Sequence, residues 1–215
     1  MSKKEILKRS ILFIIGLFFS GIGVAVTKHG ALGVSPISSF PNVISEKWTF
    51  LSFGAWLTVW NCVLLLGQIL ILRKKFKLIG LLQIPLSFLF GWFTDFGSFL
   101  VGALPTKLYA LRLACVIFGT VILGFGIALA VIADVILNSG EAFVKALADT
   151  LKKEFGNVKI FFDVSCVTLS VIVSLVLFGK VIGTREGTLI AALSLGFVVK
   201  FFTRLCKKPL EKLLK

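Results

Sequence analysis

The sequence predicts an all-α membrane protein with six transmembrane helices, arranged as two inverted three-helix repeats that each contain a short amphipathic helix. Three observations lead to this prediction. Apolar segments of membrane-spanning length alternate with clusters of basic residues. The stretch from Arg9 to Phe40 recurs from Arg112 to Phe143 with its spacings kept. Each copy holds three spans, and because three is odd, the second copy enters the membrane in the opposite sense to the first.

The spans follow from hydropathy. The chain is 57% hydrophobic, with 16% charged residues and a mean hydropathy of +1.01, which excludes a soluble globule with an ordinary surface. The predicted spans lie at 10–28, 51–72, 78–101, 112–133, 160–179 and 187–203. The repeats divide the chain at 1–104 and 105–215, within one integral membrane domain. The basic-then-apolar N-terminus resembles a signal peptide, but its place in the repeat predicts a retained span.

The repeated positions are mostly small residues. Arg9, Gly16, Gly21, Gly23, Ala25 and Phe40 recur as Arg112, Gly119, Gly124, Gly126, Ala128 and Phe143. Small residues one turn apart let helix backbones approach closely, which is the main packing device between helices in lipid. We therefore interpret these positions as packing sites in preference to ligand contacts.

The basic residues predict orientation. The net charge of +14 comes from clusters that flank spans and do not form a single basic face, so nucleic acid is not an expected partner. The larger group of flanking cations is Lys3, Lys4, Lys8, Arg9, Arg73, Lys74, Lys75, Lys77, Lys145, Lys152, Lys153, Lys159, Arg204, Lys207, Lys208, Lys212 and Lys215. The positive-inside rule places this group, and with it both termini, in the cytoplasm of a bacterial cell, with the protein in the inner membrane.

Each copy has a short helix after its first span. In 139–155 the apolar face is Ala142, Phe143, Ala146, Leu147, Thr150 and Leu151, and the polar face is Lys145, Asp149, Lys152 and Lys153. We expect this helix to lie in the cytoplasmic headgroup region. Asn138 with Glu141 resembles a capping box. The equivalent position in the first copy is Ser35, followed by Pro36, and Pro41 is expected to limit or kink that helix.

Polar residues form stripes within the spans. Gln83, Ser87, Gly91 and Asp95 share one face of the third span, and Thr188, Ala192, Gly196 and Lys200 fill the matching positions of the sixth. The second span adds Thr58, Asn61 and Gln68, and the fifth adds Asp163, Cys166, Ser170 and Ser174. Because polar atoms facing lipid are costly, these stripes face protein or a water-filled path. Both interpretations stay open: a polar route between the repeats, or interhelical hydrogen bonding that only holds the bundle together.

The substrate-path candidates combine these stripes with the starts of the short helices. They are Ser35, Ser38, Asn61, Gln83, Ser87, Asp95, Asn138, Glu141, Asp163, Ser170 and Thr188. Depth along the helix places Asp95 near the outer interface, and Asp163 lies within reach of Lys159. The sequence shows no nucleophile–base pair, nucleotide-binding loop or metal-ligand cluster, and His29 is its one histidine. We therefore expect no enzymatic activity, no cofactor and no metal.

Several short motifs resemble the YczE/YyaS/YitT family of bacterial integral membrane proteins. They are Gly30-Ala-Leu-Gly-Val-Ser-Pro36 after the first span, Leu82-Gln-Ile-Pro-Leu-Ser87 with Gly91 and Asp95, and Arg185-Glu-Gly-Thr188 at the last span. The likeness is to the short, membrane-only YczE-like branch and covers nearly the whole chain. The resemblance implies a membrane protein or transporter, and it brings no binding residues with it.

The function that the sequence favours is passage of a small polar or anionic solute, through a channel or transporter path, at the interface of the repeats. The starts of the two short helices, at Ser35 and Asn138, would present partly positive ends from opposite sides. The alternatives are a membrane scaffold or accessory subunit, and a substrate-binding subunit of a larger transport complex. Apart from the lipid bilayer, the partners left open are a homo-oligomer and a membrane partner subunit.

The predicted orientation is tested by labelling single cysteines placed in a variant whose native cysteines are replaced by alanine. Because both termini are expected in the cytoplasm, Lys4→Cys and Lys212→Cys should react with a membrane-impermeant maleimide only after the membrane is opened. Lys107→Cys, on the predicted outer side, is the control and should react in intact cells. Labelling of the two terminal cysteines from different sides would contradict the six-span topology.

Overall fold

The computed structural model describes residues 3–105 and 107–214. Within these ranges the protein is built from α-helices and 3-10 segments, with no strand. The helices are α1 (Lys3–His29), α2 (Pro36–Lys47), α3 (Phe53–Leu72), α4 (Gln83–Val101), α5 (Tyr109–Ala133), α6 (Ser139–Leu151), α7 (Phe155–Phe178) and α8 (Glu186–Leu214). Two 3-10 segments, Arg73–Lys75 and Leu78–Leu82, join α3 to α4.

Six of the helices in the described ranges are long and apolar enough to cross a membrane: α1, α3, α4, α5, α7 and α8. The predicted all-α, six-span membrane protein is therefore confirmed, and a lipid bilayer is its environment. The two short helices, α2 with 12 residues and α6 with 13, are too short to cross.

The first helices of the two copies, α1 and α5, pack antiparallel at backbone distance. A Cβ added to Gly16 would lie 2.7 Å from the carbonyl oxygen of Gly126, and one added to Gly23 would lie 2.7 Å from that of Gly119. The repeat makes Gly16 equivalent to Gly119 and Gly23 equivalent to Gly126. Replacing each glycine by its equivalent in the other copy therefore turns one contact into the other. A two-fold axis between α1 and α5 would produce this relation.

The repeated arginines cap the same two helices reciprocally. The Arg9 guanidinium donates to the carbonyl of Ala133 at the end of α5, at 3.2 Å. The Arg112 guanidinium donates to the carbonyl of Gly30, just past the end of α1, at 3.0 Å. Each arginine therefore satisfies a carbonyl that the end of a helix leaves without an intrahelical partner. Both contacts support the inverted arrangement, while the inversion of the complete repeats and their boundaries stay predictions.

The helices form two groups, each with members from both copies. The first bundle is α1, α4, α5 and α8: α4 packs against α1, and α8 packs against α5. The second bundle is α2, α3, α6 and α7, in which each short helix packs against both long helices. The main contact between the bundles is the α3–α4 seam, and α7 and α8 have no comparable packing.

Three long helices extend five residues or more beyond the predicted spans. Helix α1 begins at Lys3, before the predicted 10, α7 begins at Phe155, before the predicted 160, and α8 continues past 203 and through Pro209 to Leu214. These extensions are mostly polar, so hydropathy missed them, although Lys, Glu and Leu favour helix. The end of α8 is also held by the Lys8 ammonium, which donates to the Leu213 carbonyl at 2.8 Å.

The short helices are more enclosed than predicted. Val144 and Ala148, left out of the predicted apolar face of α6, are buried, whereas Leu151 is 55% exposed. The reason is that α6 contacts α3 and α7 on two sides. Its first residue, Ser139, is buried and its hydroxyl lies 3.3 Å from that of Ser87 in α4, so this end of α6 is enclosed by protein; its placement along the headgroups stays a prediction. Helix α2 likewise continues past Pro41, because it packs between α3 and α7.

The close packing of α1 on α5 should be disrupted when one of its glycines is replaced by a residue with a side chain. Gly23→Ala places a methyl group 2.7 Å from the Gly119 carbonyl oxygen, where a helix backbone must shift. We expect a loss of unfolding free energy on the order of 1–3 kcal/mol, seen as a lower Tm in detergent. Gly102→Ala, whose methyl meets atoms no closer than 3.3 Å, is the control. An unchanged Tm for Gly23→Ala would contradict this account of the contact.

Candidate functional site

A cavity of about 750 Å³ lies between the two bundles and is lined by residues of all eight described helices. Its volume falls in the range of small-molecule sites, roughly 300–1,000 Å³. Its lining includes Lys145 and Lys153, which the positive-inside rule predicts to be cytoplasmic, and Val199 within α8. The cavity is therefore the natural candidate for a solute site.

Both copies contribute matching positions to the cavity. Ser35 and Asn138 line it at equivalent places, as do Ser87 and Ala192. Further matched lining pairs are Ser20 and Leu123, Val24 and Ile127, Leu86 and Ala191, and Phe90 and Leu195. The cavity thus lies where the two copies meet, although its walls are the two mixed bundles.

The two walls differ in chemistry. Candidates on the second bundle and at the entry to its short helices are polar: Ser35, Ser38, Asn61, Asn138, Glu141 and Asp163. The first bundle contributes mainly apolar side chains, including Val24, Phe90, Ile127, Leu195 and Val199, with Ser20, Gln83 and Ser87 as its polar groups. A solute in this cavity would contact polar groups on one side and apolar groups on the other.

The short helices begin at this cavity. Ser35 and Asn138 occupy the predicted N-cap positions, but neither side chain caps the helix, so the predicted capping box at Asn138 and Glu141 is wrong. Ser35 Oγ donates instead to Ser38 Oγ, at 2.9 Å. Neither N-cap side chain therefore bonds the N-terminus of its helix, and a helix N-terminus attracts anions and other acceptors.

Two buried polar atoms of the first bundle, both in residues that line the cavity, also lack partners. Gln83 is 4% exposed; its Nε2 donates to Gln68 Oε1 at 3.0 Å, and its own Oε1 has no partner. Ser20, 1% exposed, has an unpartnered hydroxyl. A buried polar atom without a hydrogen bond costs about 1–3 kcal/mol. Both residues line the cavity, so these two atoms lie close to the space that a solute would occupy.

Charged residues lie toward the wide end of the cavity. Lys159 pairs with Asp163, as the sequence predicts. Glu141, in the first turn of α6, borders the cavity and is partly accessible from it, yet protein surrounds the carboxyl group. Burial raises the pKa of Glu141, and the nearby Lys159 opposes part of this rise. The Glu141 carboxyl group therefore keeps its proton to a higher pH than an exposed glutamate does.

Three candidates lie outside the cavity lining. The Asp95 carboxylate accepts hydrogen bonds from Ser52 Oγ and, at 2.8 Å, from the backbone N–H of Gly54 at the start of α3. Ser170 is hydrogen-bonded to Thr184 at 2.7 Å and holds the loop between α7 and α8. Thr188 is buried. For these three, hydrogen bonding or packing within the bundle is the better interpretation.

Ser20 is a lining residue that the sequence did not single out. It lies among the glycines of the first span, where small residues indicate packing, and its equivalent in the second copy is Leu123. Because only one of these two equivalent residues is polar, the repeat did not mark this position as a polar site. Only the geometry of the α1–α5 contact shows that both residues border the cavity.

These features define a multi-pass α-helical membrane protein with an internal cavity. A family model matches residues 7–204, and the chain belongs to that family, the family of unknown function DUF6198. No curated protein and no solved structure matches the chain. The resemblance to the YczE/YyaS/YitT family stays a prediction.

The raised pKa of Glu141 predicts a pH dependence of stability. A carboxyl group with a higher pKa in the folded than in the unfolded chain lowers the unfolding free energy as the pH rises between these two values. Glu141→Gln stays neutral, so its Tm should exceed that of the wild type at neutral pH and match it in acid. At this chain length, a gain of 1 kcal/mol raises Tm by about 2–4 °C. Asp149→Asn, an exposed carboxyl on the same helix, is the control; equal pH profiles for wild type and Glu141→Gln would contradict the prediction.

Proposed function

We propose that this protein carries a small polar or anionic solute across the bacterial inner membrane through the cavity between its two bundles. The observation that supports this most directly is the meeting of both short helices at the cavity, each without a side-chain cap. Ile37 of α2 lies beside Gly140 of α6, so the two N-termini are neighbours. Inward helix ends of this kind bind substrates in transporters built from repeats.

The lining narrows the class of solute. Hydrogen-bond donors and acceptors are concentrated on one wall, and the opposite wall is mainly apolar. A solute with one polar or anionic group and an apolar body would satisfy both walls. Small organic acids fit this description. A fully polar sugar would leave part of its hydroxyl groups against apolar side chains, where they lose hydrogen bonds to water.

The proposed function can be tested by measuring ligand binding to the polar groups of the cavity. Purified protein is heated in detergent with a panel of aliphatic and aromatic monocarboxylates, amino acids and sugars. A ligand at 100 times its Kd stabilises the folded state by about 2.7 kcal/mol. We expect stabilisation by a carboxylate, and roughly tenfold weaker binding in Asn61→Leu, since this change removes a hydrogen-bond donor from the cavity lining. Ser165→Ala, which only loses a bond to its own helix, is the control.

Flux is measured next, in proteoliposomes that contain this chain alone. Uptake of the stabilising solute supports a transporter or channel. Stabilisation without flux would favour the substrate-binding subunit of a larger complex. If no solute in the panel stabilises the protein and none crosses, the proposal is wrong and the scaffold alternative gains weight.

A further inference from the structure

The seam between α3 and α4 closes one end of the space between the bundles. Gly54 of α3 and Gly91 of α4 touch backbone to backbone. Thr58 Oγ1 donates to the Ser87 carbonyl at 3.1 Å. Beyond the two glycines, the Asp95 carboxylate accepts hydrogen bonds from Ser52 and from the N–H of Gly54. Glycine contact and carboxylate together hold the start of α3 on the end of α4.

The second copy contains the parts of the same seam. The residues before and within the first turn of α7, Glu154-Phe155-Gly156, match Ser52-Phe53-Gly54 at the start of α3. The aromatic contacts support this alignment: Phe40 packs on Trp60 with ring centroids 4.7 Å apart, and its repeat Phe143 packs on Phe162 at 5.3 Å. In α8, Gly196 and Lys200 match Gly91 and Asp95 of α4.

This second seam is open. An added Cβ at Gly156 or at Gly196 would meet no atom within 4 Å, in contrast to the tight contacts at Gly54 and Gly91. Glu154 and Lys200 are both exposed. The rest of the second copy is packed like the first: Gly124 meets Val198 where its equivalent, Gly21, meets Phe93. The main difference between the copies is therefore the contact of α7 with α8.

The two helices remain joined at their other ends. Ser174 Oγ donates to the carbonyl of Lys180 at 2.9 Å and accepts from the N–H of Ile182 at 2.7 Å. Asn42 of α2 donates to the Gly183 carbonyl at 3.1 Å, and the N–H of Gly187 donates to the Leu32 carbonyl at 2.8 Å. Helices α7 and α8 are thus tied at the predicted outer side and apart at the predicted cytoplasmic side, where the cavity opens.

We infer that Glu154 and Lys200 form the closing ion pair of a second gate, in which Gly156 packs on Gly196 when the Gly54–Gly91 seam opens. In this state a carboxylate and an ammonium occupy the places that Ser52 and Asp95 hold in the closed seam. The inference rests on the proposed transport function and specifies its mechanism: one bundle rocks against the other, and the cavity faces each side of the membrane in turn.

Cross-linking tests the gate without any solute. In a variant with the native cysteines replaced by alanine, Ser52→Cys with Asp95→Cys should form a disulfide in most molecules, because the first seam is closed. Glu154→Cys with Lys200→Cys should also form one, through the opposite state. Glu154→Cys with Lys207→Cys, two turns further along α8, is the control for random approach and should not.

A reporter shows what each disulfide does. Ala192→Cys, in the exposed lining of the cavity, should react with an impermeant maleimide from the cytoplasmic side when the first seam is locked. With the second gate locked, this reaction should be lost and labelling from the outer side should appear. If the Glu154–Lys200 disulfide does not form, or leaves the labelling side unchanged, the gate does not exist.

Charge reversal provides an independent test that needs no cysteine at the gate. Lys200→Glu alone places two carboxylates in apposition, so the closed second gate becomes rare and outer labelling of Ala192→Cys is lost. Adding Glu154→Lys restores the opposite charges and should restore that labelling. Failure of the double variant to recover, in protein that elutes as a single species, overturns the ion pair. Solute stabilisation in detergent is scored separately, so a failed gate and a failed transport function are distinguishable.

Discussion

The rest of this structure depends on the antiparallel contact of α1 with α5. In lipid, no hydrophobic effect drives one helix onto another, so association relies on close van der Waals packing. Glycines at matching places in the two copies bring the backbones of α1 and α5 together, and Arg9 and Arg112 each bind the end of the opposite helix. Because α4 and α8 attach to this pair by equivalent contacts, the same contact fixes the first bundle and one wall of the cavity.

The second bundle brings polar groups into the interior, which lipid would otherwise make costly. Its long helices hold two short ones whose N-termini lie at the cavity. The first turns of α2 and α6, including Glu141, and the residues Ser20 and Gln83 with their unpartnered oxygens all line the same space. Some predicted polar stripes instead hold the bundle together, as Thr58 does with Ser87 and as Ser170 does with Thr184. Both interpretations of the stripes therefore apply, at different residues.

The two copies have similar sequences but do not make the same contacts. Their packing matches at α1 with α4 and at α5 with α8, and differs where α3 meets α4 and α7 meets α8. A single cavity between two bundles cannot be tightly sealed at both ends and still admit a solute from one of them. The asymmetry of the seams is the observation on which the proposed second gate rests, because a protein that exchanges between two related states would close the seams in turn.

The sequence alone determined the number of spans and the all-α class, because membrane helices need long apolar segments, and it predicts the duplication, because a repeat keeps its spacings. It also placed the starts of both short helices and the Lys159–Asp163 pair, which depend on neighbours along the chain. Only the tertiary structure decided that Asp95 binds the start of α3, that Ser20 faces the cavity and that the end of α6 lies in the interior. These outcomes depend on which helices from distant parts of the chain become neighbours, and hydropathy carries no information on that choice.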